Sequence, residues 1–115
     1  SEMCIRDRDM ACAYLKKQGY RIRHRNFYHQ KAEIDIIVSK DDTLAIVEVK
    51  WCLTDFFGAP ETFVTPKKRK LLARAADFYV QKFNWQGETR FDIISIVGQP
   101  PNHTLTHIEQ AFYFV

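Results

Sequence analysis

The chain has 115 residues, 46% hydrophobic and 27% charged, with a formal net charge of +3. That is enough for one ordinary globular core and too little for two. No apolar run approaches the roughly 18–20 residues of a membrane span, and the polar start "SEMCIRDRDM" lacks the apolar stretch of a signal peptide, so a cytoplasmic domain with no membrane partner is expected. Cys4, Cys12 and Cys52 form no CxxC pair and read as reduced thiols rather than zinc ligands.

In chain order, residues from about Asp9 to Gln18 read as a helix, with Met10, Ala13, Tyr14 and Lys17 at helical spacing and Gly19 placed to stop it. "YRIRHRNF" alternates, with Tyr20, Ile22 and His24 on one side, and predicts a strand ending near Phe27. Two further strands are expected at about Ala32–Ser39 and Leu44–Lys50, joined by a hairpin turn in "SKDDT". "WCLTDFFGAPETFV" is expected to be a loop crossing over the domain. Thr65–Pro66 is an N-cap followed by proline at the first helical position, opening a helix to about Phe83 that buries Leu71, Leu72, Ala75, Phe78 and Tyr79. "RFDIISIV" predicts a strand and "THIEQAFYFV" a shorter strand or closing segment. Strands separated by a long helix imply a crossover, hence an α/β fold with a mixed sheet flanked by helices.

The second and third strands carry an anomaly. With the turn at Asp41–Asp42, Asp35 lies opposite Glu48 and Glu33 opposite Lys50. One face of the hairpin is then wholly apolar (Ile34, Ile36, Val38, Ala45, Val47, Val49). The other carries Ile37 and Ile46 near the turn and an ionic corner at its open end. Carboxylates directly opposite one another sit about 4.5–5.5 Å apart at Cβ and repel by roughly 3 kcal/mol at an effective dielectric near 20. Lys50 supplies one positive charge against three negative ones, and a divalent cation would supply the rest. Mg²⁺ suits carboxylate and water oxygens, with Mn²⁺ as the alternative ion. Asp35 and Glu48 are read as the metal ligands, the Val49 carbonyl as a third, and Glu33 as an outer or second-metal ligand. A carboxylate-held Mg²⁺ beside a lysine suits phosphodiester hydrolysis, with Lys50 orienting water or stabilising charge on the phosphate.

The basic residues form two groups. Lys67, Lys68, Arg69 and Lys70 crowd the first turn of the long helix, with Arg74 a turn later, and a phosphate bound there would offset their clash with the helix dipole. Arg21, Arg23 and Arg25 read as exposed edge-strand residues and further candidates for nucleic-acid backbone contact. Trp51, Phe56 and Phe57 are candidates for base stacking. Asp92 beside Arg90 reads as a salt bridge or cap.

Asp35 followed by Glu48–Val49–Lys50 resembles the D…(D/E)xK signature of the PD-(D/E)XK nuclease superfamily. "AYLKKQGYRIRHRNF", "AEIDIIV", "AIVEVKW", "FGAPETFVTPKKRKLL", "RFDIISIV" and "THIEQAF" resemble, in order and spacing, the YraN family of small endonuclease-like bacterial proteins. The resemblance implies a restriction-endonuclease-like αβββαβ core over residues 9–115, with Asp35, Glu48 and Lys50 as the catalytic set. Residues 1–8 match nothing in that family and are expected to be a disordered or non-native leader. Four positions depart from the family pattern: Ala32 replaces a glycine, Trp51–Cys52 replaces a small residue and arginine, and Arg8 replaces a glutamate of the first helix. Asp9 is the substitute ligand beside it. The expectation is a Mg²⁺-dependent endonuclease acting on DNA as a monomer or weak homodimer. The alternatives are a nucleic-acid-binding module that does not cleave, or a protein-interaction adaptor.

Overall fold

The computed structural model describes residues 2–53 and 64–113, with side chains from Arg6 onward. Its elements are α1 (Glu2–Lys17), β1 (Arg21–His29), β2 (Ala32–Lys40), β3 (Thr43–Cys52), α2 (Pro66–Lys82), β4 (Glu88–Gln99) and β5 (Asn102–Ile108). The strands form one sheet in the order β1-β2-β3-β4-β5, antiparallel throughout except for β3 and β4, which run parallel across the connection that contains α2. This is the mixed α/β architecture expected. The crossover loop, with Phe56 and Phe57, lies largely outside the described residues.

Sequence chemistry accounts for the element ends. Gly19 takes φ 93 after α1, and the amides of Gly19 and Tyr20 donate back to the carbonyls of Lys16 and Leu15, closing the helix. The Thr65 hydroxyl accepts from the Lys68 amide at 3.2 Å, which fixes the first turn of α2.

Each helix covers its own face of the sheet. Ala11, Cys12 and Leu15 of α1 pack with Ile36, Val38, Ala45, Val47, Val49, Ile94 and Ile96. Leu72, Ala75, Ala76 and Tyr79 of α2 pack with Ile34, Ile37, Leu44, Ile46 and Ile93.

Several details differ from the sequence expectation. Helix α1 starts at Glu2, well before Asp9, and β5 starts at Asn102, because its alternation is carried by threonines and histidines rather than by apolar residues. A bulge between Ile22 and His24 breaks the β1 alternation, so Tyr20 and Ile22 join the α1-side core while the His24 ring meets Phe27 and Tyr79 edge-on. Phe78 is exposed rather than buried, and its ring stacks on His29. Ile34 packs on the α2 side and not with Ile36 and Val38, because β2 loses its alternation between Ile34 and Ile36, opposite an Asn26 held at φ 54.

The β2–β3 turn is docked on the start of β4, where the Glu88 amide donates to the Asp42 carbonyl at 2.8 Å. A Cβ built on Gly87 would lie 1.9 Å from that same carbonyl oxygen, a backbone atom that cannot swing aside. Gly87→Ala is therefore expected to destabilise the fold by about 1–3 kcal/mol in urea unfolding. A variant as stable as the parent would show that this docking does not set the β3–β4 register.

Candidate functional site

The β2–β3 ladder runs from Lys40–Thr43 to Ile36–Val47. Beyond that pair, at Asp35, Glu48 and Val49, side chains take over the hydrogen bonds between the strands. The Val49 amide donates to Asp35 Oδ2 at 2.8 Å, and the Asp35 amide donates to Glu48 Oε2 at 3.3 Å. Both carboxylates therefore reach into one gap between the strands. Since the N–H and C=O of an extended residue point to the same side, the Val49 carbonyl faces that gap as well.

The expected shortage of positive charge is not there. Arg8 Nη2 lies 2.7 Å from Asp35 Oδ1 and 3.5 Å from Glu33 Oε1, and the guanidinium also donates to Asn26. Lys68 Nζ lies 3.1 Å from Glu48 Oε1, and the Lys68 charge acts on Lys50 beside it. Arg8, Lys50 and Lys68 thus stand against Glu33, Asp35 and Glu48, three charges against three. A divalent ion is not needed to make the corner electrostatically tolerable.

Glu48 is the most constrained member, with only 2% of its side chain exposed. Burial pushes its carboxyl up to about 7; Asp35 adds to the effect and Lys68 opposes it. The Lys50 ammonium is lowered, first by burial and then by Lys68 beside it. Burial works against the Lys68 charge as well, but Glu48 outweighs it and raises that group.

The remaining sequence candidates fall at varied distances from this corner. Asp9 is turned to Arg25 on the surface, at 2.7 Å, and is not among the groups around Asp35 and Glu48. Lys67, Lys70 and Arg74 are exposed on α2, and Arg21 is exposed on the β1 edge. Arg69 is engaged within the fold, donating to the Val64 carbonyl and lying over the Phe112 ring, and Arg23 donates to the Tyr79 hydroxyl over Trp85. The Trp51 indole donates to the Gly98 carbonyl, which fixes the ring against the protein.

The donor chemistry meets the needs of a hard divalent cation in part. Two carboxylates and a carbonyl converge, and Mg²⁺ is held elsewhere by one or two carboxylates completed by waters and phosphate. Yet the oxygens already have partners, and among the described residues no three His, Cys, Asp or Glu side chains come together around a common point. An ion at Asp35 and Glu48 would take the place of a side-chain cation on each.

Elsewhere under α1 lies a second polar cluster that the sequence only partly reveals. Asp92 is fully buried and accepts from Arg90 at 2.8 and 2.9 Å, from the Gln110 amide at 3.1 Å, and pairs with His107 Nε2 at 2.7 Å. Burial alone would raise its carboxyl, but those hydrogen bonds outweigh it and hold it low. His107 Nδ1 meets the Tyr14 hydroxyl, and Arg90 donates to the Tyr20 hydroxyl, so the cluster ties β4 and β5 to α1. The Arg90–Asp92 pair was readable from sequence; His107 and the tyrosines, distant in the chain, were not.

The fold and this corner define a small α/β domain with an acid–lysine site at the open end of its central hairpin. The model of the uncharacterised protein family UPF0102 matches residues 8–96. A UPF0102 protein of Phocaeicola vulgatus is 44% identical over 103 residues, covering 90% of this chain and 85% of its own. One from Flavobacterium psychrophilum is 43% identical over 105 residues, covering 91% and 88%, and one from Christiangramia forsetii is 37% identical over 114 residues, covering 99% and 96%. The chain belongs to the UPF0102 family.

The raised Glu48 carboxyl has a consequence for stability. A group whose folded pKa exceeds its unfolded value favours folding at acid pH, and that contribution is lost as pH rises from about 4.5 through about 7. Glu48→Gln removes this loss. Its stability relative to the parent, from denaturant unfolding, should grow by up to roughly 3 kcal/mol between pH 4.5 and 8. A difference independent of pH would contradict the placement of Glu48. Asp92, held low, acts with the opposite sign: its contribution is present above the ordinary carboxylate range and lost in acid.

Proposed function

We propose that this chain is a Mg²⁺-dependent nuclease of the PD-(D/E)XK superfamily, hydrolysing phosphodiester bonds in DNA at the Asp35–Glu48–Lys50 corner. The observation that carries the reading is the convergence of Asp35 and Glu48 on one gap, with Lys50 beside them. Each structural preference at this corner runs against ordinary sheet packing, which would fill the gap with ladder bonds and apolar side chains. Asp35 and Glu48 would hold the ion, with the Val49 carbonyl facing the same gap. The ion, when bound, supplies Lewis-acid polarisation of a phosphoryl oxygen and a more acidic water.

The chain's own residues have separable tasks. Asp35 and Glu48 set the place at which a phosphodiester meets the protein. Lys50, half-buried and with its ammonium lowered, donates hydrogen bonds to a non-bridging phosphate oxygen or orients the attacking water. The exposed cations Lys67, Lys70 and Arg74 lie on the same helix as Lys68 and would supply contact with the nucleic-acid backbone.

A second reading, a nucleic-acid-binding module without cleavage, is favoured by one observation: Asp35 and Glu48 are already neutralised by Arg8 and Lys68. One assay separates the two. DNA incubated with the protein and Mg²⁺ or Mn²⁺ should be cut, and Asp35→Asn or Lys50→Ala should lower the rate at least 100-fold in variants that thermal unfolding shows to be folded. Salt-sensitive DNA binding with no cleavage would establish the second reading. Cleavage persisting in both variants would place the chemistry elsewhere.

A further inference from the structure

Lys68 opens α2 together with three other cations, and by sequence it belongs with them as a solvent-facing phosphate contact. Its surroundings set it apart. Its backbone amide is bound by the Thr65 cap, so the residue is fixed at the start of a helix whose buried face packs against β2. From there the side chain passes over the open end of the sheet to Glu48, placing Nζ 3.1 Å from Oε1 of a carboxylate that is almost wholly buried. Its charge also acts on Lys50. Lys67 and Lys70, its neighbours, are exposed.

A buried carboxylate is tolerated only with a charge or a proton on it. Lys68 is the side-chain cation on Glu48, and it occupies one of the two oxygens through which Glu48 would bind an ion. We infer that Lys68 is the resident counter-ion of Glu48, a positioning residue that holds the carboxylate in the gap and that a divalent cation must displace to bind there. The inference rests on the metal-site reading above and deepens it. It assigns to Lys68 a role distinct from that of the other α2 cations: competition with the metal for one oxygen.

The test is calorimetric titration of Mn²⁺ into the parent protein and into Lys68→Met, Lys68→Arg and Lys67→Met. The Lys67 variant makes the same change of charge one residue away without touching Glu48. Lys68→Met should bind Mn²⁺ at least tenfold more tightly than the parent, Lys67→Met should stay within twofold, and Lys68→Arg should bind no more tightly than the parent. Equal affinities for Lys68→Met and Lys67→Met would overturn the inference. If the parent's Mn²⁺ binding is in that case abolished by Asp35→Asn, the metal reading stands without it. Absence of Mn²⁺ binding by both the parent and Lys68→Met would overturn the two together. Thermal unfolding of each variant shows that the comparison is between folded proteins.

Discussion

At the open end of the β2–β3 hairpin the backbone ladder gives way to carboxylates, and the candidate site depends on that exchange. Two antiparallel strands normally satisfy each other's amides with carbonyls. Here the Val49 amide is satisfied by Asp35 and the Asp35 amide by Glu48. The acids are therefore structural as well as chemically available: removing either leaves a buried amide without its acceptor, at a cost of about 1–3 kcal/mol. The same hydrogen bonds fix where the oxygens point, which is the pre-organisation that a metal or phosphate site requires.

Around that gap the molecule arranges cations from separate elements. Arg8 comes from α1, Lys50 from β3 and Lys68 from α2. A charged corner bound to both helices is sensitive to how each helix packs, and the apolar clusters on the two faces of the sheet hold them in place. The Asp92 cluster does similar work on β4 and β5, joining them to α1 through part-buried hydrogen bonds. Glu48 and Asp92 are thus buried carboxylates of opposite character. Asp92 is fully satisfied and its carboxyl held low, whereas Glu48 is strained toward neutrality by burial.

Much of this was legible in the sequence because the signals are local. The Thr65–Pro66 cap, Gly19 and the Asp41–Asp42 turn each fix an element through its own chemistry, and the turn sets the register of the ladder from Lys40–Thr43 to Ile36–Val47. What stayed hidden depends on contacts between distant residues. Nothing in "TPKKRK" distinguishes Lys68 from Lys67; only the docking of α2 turns one toward Glu48 and leaves the other in water. Arg8 could not be read as a partner of Asp35, since the pairing joins α1 to β2 across the fold. Within the hairpin alone the acids outnumber the cations, but Arg8 and Lys68, brought in from the two helices, restore the balance without a divalent ion. Periodicity misplaced Ile34 and His24 because Asn26 and the β1 bulge break the alternation on which periodicity relies.

The most direct test of the account is a crystal structure of the protein with Mn²⁺, read by anomalous scattering. An ion is expected between β2 and β3 within coordinating distance of one oxygen each from Asp35 and Glu48, with the Lys68 ammonium moved off Glu48. Crystals saturated with Mn²⁺ in which that gap holds no anomalous signal, and Lys68 still rests on Glu48, would contradict it.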